Sequence, residues 1–197
     1  MSVVVLGWGS LIWRPTDHGV TLDLRTPGLW GCDGPPLPLE FARVSRDGSL
    51  TLVIVAELSQ TVTSLWSMSA LDEPEAIQNL ARREGITKNL DSIHGVRVDG
   101  SRIGRAHGRV ATLVNSWLRQ RAGLTSAIWT GLGVAPKRWH HAGFEDGFRV
   151  DNAITYLQSL GGETADRADE YIRRAPIQID TEVRRRASAL GLVSSDG

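Results

Sequence analysis

Val3, Val4, Val5 and Leu6 form an unbroken aliphatic run that stops at Gly7. A short apolar run bounded by glycine predicts a buried strand. Gly7-Trp8-Gly9-Ser10-Leu11-Ile12-Trp13 follows, and Pro15 limits any helix opening here to about one turn. Pro27, Gly28, Gly31, Gly34, Pro35 and Pro36 punctuate residues 14–36, which reads as an ordered loop or excursion. Leu37, Leu39 and Phe41 then alternate with Pro38, Glu40 and Ala42, the period of a half-buried strand. The same face continues to Arg43 and Ser45. Asp47-Gly48 marks a hairpin turn, and Leu50 to Ala56 is the returning strand. Alternation from Val62 to Met68 marks another.

The strongest helical pattern runs from 72 to 84. Asp72 is a capping residue, Glu75 stands where a capping box places a carboxylate, and Pro74 falls in the first turn, where it is tolerated. Ile77, Leu80 and Ala81 make the apolar stripe, and Gly85 supplies the stop. Val110, Leu113, Val114 and Trp117 are read as a strand over Gly108–Leu118, and Ala127-Ile128-Trp129 as a short strand. Helical patterns over 151–160, 164–175 and 180–190 complete the chain. A strand-rich first two thirds with one central helix, then a helical tail, defines the α+β class.

Composition narrows the function classes. At 197 residues and 21.5 kDa the chain suits one domain, perhaps with a short appended piece. Lys+Arg and Asp+Glu both number 22, so no global basic field gathers nucleic acid or anionic lipid. Cys32 is the sole cysteine, which excludes an internal disulfide and a multi-cysteine zinc site and fits a reducing cytosol. The first apolar run is too short for a signal segment, and the longest, Leu52 to Ala56, cannot span a bilayer. A soluble, cytoplasmic protein without nucleic-acid or membrane partners is therefore expected.

Three constellations carry chemistry. Gly7-x-Gly9 is not a dinucleotide fingerprint, because position 12 is Ile and Pro15 cuts the following helix short. It remains a tight turn whose successive N–H groups make an anion-binding concavity, with Ser10 adding a hydroxyl. Its plainer reading is a strand-to-loop turn in which glycine relieves strain. Glu84 extends the stripe of Ile77, Leu80 and Ala81 by one more turn, so a carboxylate is expected on a core-facing position. Desolvation favours the protonated form of a carboxyl, a property that suits a general base near neutrality. The alternative is a frayed helix end with Glu84 in solvent or bridged to an arginine. Arg43 continues the inward face of its strand and needs a partner: a substrate carboxylate, or Glu84. His140-His141 lack a ligand partner at metal spacing. The Arg184-Arg185-Arg186 run is offset by Asp180 and Glu182 and reads as a solvated face.

Leu6-Gly7-Trp8-Gly9-Ser10-Leu11-Ile12-Trp13 resembles the first motif of the gamma-glutamylcyclotransferase-like proteins, an aromatic-Gly-Ser-Leu loop after the first strand. Val62-x-x-Leu65-Trp66-x-Met68-Ser69, followed by a helix ending Arg83-Glu84-Gly85, resembles the segment that carries their catalytic glutamate. Phe41-x-Arg43-x-Ser45 resembles their middle strand. The likeness covers residues 3–85 and weakens beyond.

The resemblance implies a small, partly closed mixed β-barrel over residues 1–135, with surrounding helices and a helical C-terminal extension over 136–197 packed on the same domain. It implies cyclisation of a gamma-glutamyl amide or peptide to 5-oxoproline with release of an amine. Glu84 would be the general acid/base, Gly7, Trp8, Gly9, Ser10 and Leu11 would hold the substrate, and Arg43 is a further candidate contact. No cofactor or metal is required. Trp8 replaces the family's usual tyrosine, Ala81 replaces a common aspartate, and Ile86-Thr87 stands where another tyrosine often follows. These departures motivate the alternative, a non-catalytic binding module for a carboxylate-bearing small molecule in the same pocket.

Overall fold

The computed structural model describes residues Ser2–Ser194. In chain order the elements begin with β1 (Ser2–Gly7), α1 (Ser10–Trp13), β2 (Thr16–Asp17), β3 (Val20–Thr21) and β4 (Pro36–Leu37). Then come β5 (Leu39–Val44), β6 (Leu50–Ile54), β7 (Val62–Thr63), β8 (Leu65–Met68) and α2 (Glu73–Arg83). A 3-10 turn (Leu90–Ser92) leads to β9 (Ile93–Arg97), β10 (Arg102–Ile103), α3 (Gly108–Leu118) and β11 (Leu124–Thr130). Four helices follow: α4 (Pro136–His141), α5 (Val150–Ser159), α6 (Gly162–Arg173) and α7 (Glu182–Ala189). This is a mixed α+β chain.

Contacts divide it into two compact units, each assembled from separate stretches. Of the described residues, one takes 2–37 together with 63–131; the other takes 38–62 with 132–194. A boundary at 135 leaves the β5–β6 hairpin with the N-terminal part. The contacts instead group that hairpin with the C-terminal helices.

The first unit is built on a five-stranded sheet of order β10-β9-β11-β1-β8. β1 runs parallel to β11 and antiparallel to β8. β9 is antiparallel to β11 and to β10. Among the described residues no sheet closes into a barrel; β10 and β8 remain edges. Alternation sends Val3, Val5 and Ile128 to one face, where they join Leu11, Ala76, Leu80, Ala81 and Ile93 in one cluster. The helix over them is fixed at its start by Asp72, whose side chain accepts the Glu75 N–H at 3.0 Å.

The excursion before β4 is ordered by hydrogen bonds. Asp33 accepts from the indole N–H of Trp66 at 2.8 Å and from Arg121 at 2.6 Å, while its carbonyl accepts from Trp117 at 2.7 Å. The Trp66 bond, then that of Arg121, holds the Asp33 carboxyl below its ordinary value.

Gly108–Leu118 is a helix, not the expected strand. Its buried residues Val110, Ala111, Val114, Trp117 and Leu118 follow helical spacing. The β-branched residues weigh toward a strand; the period of the pattern, which packing reads, decides for the helix. Sequence reading also missed β9, which carries Gly95 at its centre. A Cβ there would lie 2.7 Å from the Ala127 carbonyl oxygen, so the weak strand former is required by close approach.

In the second unit the β5–β6 hairpin carries α4, α5 and α7 against β5 and α6 against β6. β5 is buried on both faces rather than one, which is why Glu40 and Ala42 are as enclosed as Leu39 and Phe41. Trp139 donates its indole N–H to the Ala42 carbonyl at 2.8 Å and is ringed by Phe144, Phe148 and Tyr156. The Tyr156 hydroxyl donates to the Gly48 carbonyl at 2.6 Å, tying α5 to the hairpin turn.

Candidate functional site

β1 ends at Gly7 because nothing larger fits. A Cβ at Gly7 would meet the Trp30 ring at 2.6 Å. Trp8 follows and is buried, Gly9 is the residue before α1, Ser10 is half-buried, and Leu11 enters the core. The Ile12 N–H bonds to the Gly9 carbonyl at 3.0 Å and the Arg14 N–H to the Ser10 carbonyl at 2.7 Å, which closes a single helical turn. The first N–H groups of such a turn have no acceptor within the helix.

α2 ends in a way that fixes Glu84. The Ile86 N–H bonds to the Ala81 carbonyl at 2.8 Å and the Gly85 N–H to the Arg82 carbonyl at 3.0 Å. This paired pattern with a left-handed residue, Gly85 at φ +67°, is a Schellman termination. Glu84 is therefore the cap residue itself, and Ile86 packs back onto the core. A Cβ at Gly85 would also lie 2.8 Å from Nε2 of His18. Gly85→Ala is expected to cost about 1–2 kcal/mol, because an alanine at positive φ is strained whatever the space. Urea unfolding measures it; an unchanged midpoint would show that the terminus relaxes freely.

The buried charge at this end is Arg83, 2% exposed, and not Glu84, which is 14% exposed. The expected stripe of Ile77, Leu80, Ala81 and Glu84 is rotated: Ala76, Leu80, Ala81 and Arg83 are buried and Ile77 is only partly so. One nitrogen of the Arg83 guanidinium donates to the Glu84 carboxylate and the other to the Arg14 carbonyl. Its Nε is buried with no partner among the described residues. Arg83 thus joins the segment that follows the glycine loop to the carboxylate at the end of α2. The stripe expected from Ile77 through Glu84 leaves Arg83 off the core-facing side. The spacing from Ala76 to Leu80 to Arg83, i, i+4 and i+7, was the available signal.

Arg43 lies in the second unit, beside a bulge where the β5–β6 register shifts between Phe41 and Arg43. Its guanidinium donates to the Gly133 carbonyl at 2.7 Å. Burial, and then the nearby charge of Arg138, hold its pKa below the ordinary arginine value. The partner that its inward position called for is a backbone carbonyl. The partner of Glu84 is Arg83. Cys32 is exposed, and the rings of His140 and His141 stand 6.2 Å apart on α4. No described helix is long and apolar enough to cross a membrane.

Comparison with protein-family models, with curated proteins and with solved structures found no match.

Proposed function

We propose that this chain is a gamma-glutamylcyclotransferase-like enzyme. The observation that supports it is the Arg83 side chain, which bonds both to Glu84 and to the carbonyl of Arg14, the residue that closes the helical turn after the Gly7–Leu11 loop. Segments adjoining two features singled out separately in the sequence are thus held together by one buried side chain. The reading needs only that this loop and this helix end meet over one sheet, not that a barrel is closed. A cytoplasmic location belongs to the same reading.

In this reaction the loop N–H groups hold the substrate's α-carboxylate, so that the α-amine reaches the γ-carbonyl of the same molecule. Orientation is the main gain, because both reacting groups are already joined. The amine nitrogen bonds to the γ-carbon and loses a proton to Glu84. The original amide C–N bond breaks, and Glu84 returns the proton to the departing amine. The products are 5-oxoproline and a free amine, and no cofactor takes part.

One observation favours a second reading. The Glu84 carboxylate is already engaged by Arg83, as in a site that binds a carboxylate-bearing molecule without converting it. A mass-spectrometric screen separates the two. Purified protein is given gamma-glutamyl dipeptides, gamma-glutamyl amines and glutathione, and 5-oxoproline is measured. Formation of 5-oxoproline with one released amine supports the enzyme. Thermal stabilisation by a ligand recovered intact supports the binding module.

A further inference from the structure

β11 ends at Thr130, and its hydroxyl is buried without a hydrogen-bond partner among the described residues. The residue is 9% exposed. A buried hydroxyl left unpaired is costly, and native structures keep few of them. Its position gives it a use. β1 and β11 are parallel, with Val5 opposite Ile128. Two residues further along the same register, Thr130 lies beside Gly7, the first residue of the glycine loop. Alternation puts the Thr130 side chain on the face of Ile128, the face on which Leu11 and Leu80 pack. Ligands of α/β sheets gather at the carboxyl ends of parallel strands, and this is the end where both β1 and β11 stop. Ser126 also has an unpaired buried hydroxyl, but it pairs with Val3 in the interior of the sheet, away from the loop.

We propose that Thr130 is a ligand-contacting residue whose hydroxyl donates a hydrogen bond to a carboxylate oxygen of the molecule held by the Gly7–Leu11 loop. The inference rests on the reading of that loop as a carboxylate cradle, and it adds a side chain from a distant part of the sequence. The carboxylate meets N–H groups from the loop after β1 and a hydroxyl from β11. All of these groups are donors, which matches an anion.

The test measures binding by calorimetry in the Glu84→Gln background, so that the ligand stays intact. The probes are gamma-glutamyl-alanine and 4-aminobutanoyl-alanine, which keeps the amine and the amide but lacks the α-carboxylate. Thr130→Val, nearly the same shape without the hydroxyl, is expected to weaken gamma-glutamyl-alanine binding by roughly tenfold or more. Thr130→Ser restores binding to within about threefold of threonine, given a hydroxyl at the same carbon. The affinity for 4-aminobutanoyl-alanine is expected to be unmoved by either change. The ligand-free melting temperature of Thr130→Val is expected to be no lower than that of the parent, since no internal bond is lost.

Equal weakening of both probes, or no weakening, overturns the proposal while leaving the enzyme reading intact. Carboxylate binding that depends on Thr130, in a wild-type protein that forms no 5-oxoproline, upholds it and rejects the enzyme. No binding of either probe by the parent rejects both.

Discussion

Glu84→Gln is expected to lower 5-oxoproline formation by about 10²–10⁴-fold, the usual worth of a positioned acid/base group. The side chain keeps its size and its place, because the backbone of residue 84 is set by the Leu80, Ala81 and Arg82 carbonyls and not by its carboxylate. What changes is the ability to take and return a proton. Stability falls as well. Arg83 is almost fully buried, and removing its anionic partner leaves a cation compensated only by the Arg14 carbonyl. Gly85→Ala provides the comparison, since it weakens the same helix end and leaves Glu84 in place. Rates measured well below both melting temperatures then separate chemistry from unfolding. Turnover by Glu84→Gln equal to that of Gly85→Ala would remove Glu84 from the reaction.

The largest effect on stability is expected at Glu40, in the second unit. The residue is 3% exposed. One oxygen accepts the Phe41 N–H at 2.8 Å, and the other accepts the Glu182 and Val183 N–H groups at 3.0 and 3.3 Å. Those last two are the opening amides of α7, which a helix cannot satisfy itself. Glu40→Ala strands three donors, two of them buried, and is expected to cost about 3–5 kcal/mol, a large share of a normal folding free energy. Equilibrium unfolding in urea measures it; a loss under about 1 kcal/mol would mean that water replaces the carboxylate at no cost.

The pH dependence has a definite sign. Burial raises the Glu40 pKa, against the opposing hydrogen bonds from Thr181 and from the Phe41, Val183 and Glu182 amides. The folded state therefore binds the proton more tightly than the unfolded chain. The stability this group contributes is complete below the ordinary glutamate range and declines as pH rises through the higher folded value. Glu40→Gln cannot ionise and is expected to remove that decline. An undiminished decline in the Gln variant would show that another group is responsible.

Much of the fold was legible because local signals agreed with packing. Asp72, Pro74 and Gly85 bounded α2 almost to the residue, and Asp47-Gly48 placed the β5–β6 turn. The misreading of Gly108–Leu118 came from weighing residue type above period. β9 was hidden because Gly95 answers to a neighbouring strand's carbonyl, which no local pattern reveals. The candidate site divides the same way. The Gly7–Leu11 loop and Glu84 stand beside strong turn and cap signals. Arg83 was misassigned because a one-residue rotation of the stripe exchanges it with Glu84, and charge alone does not favour either side. Thr130 carries no signal of its own; only the register of β11 against β1 gives its hydroxyl a setting. Arg43 was read from alternation, which a bulge interrupts at that residue.

The parallel pairing of β1 with β11 joins residues about 120 positions apart. During synthesis the first strand leaves the ribosome long before the neighbour it must hold. Until β11 emerges, one side of β1 presents unpaired amides and carbonyls on a run of three valines and a leucine. A nascent chain or a fragment ending before residue 124 carries this sticky strand without its cover. Such species are the ones chaperones are needed for, and expression trials that trim the chain from its C-terminal side should therefore keep β11 whole.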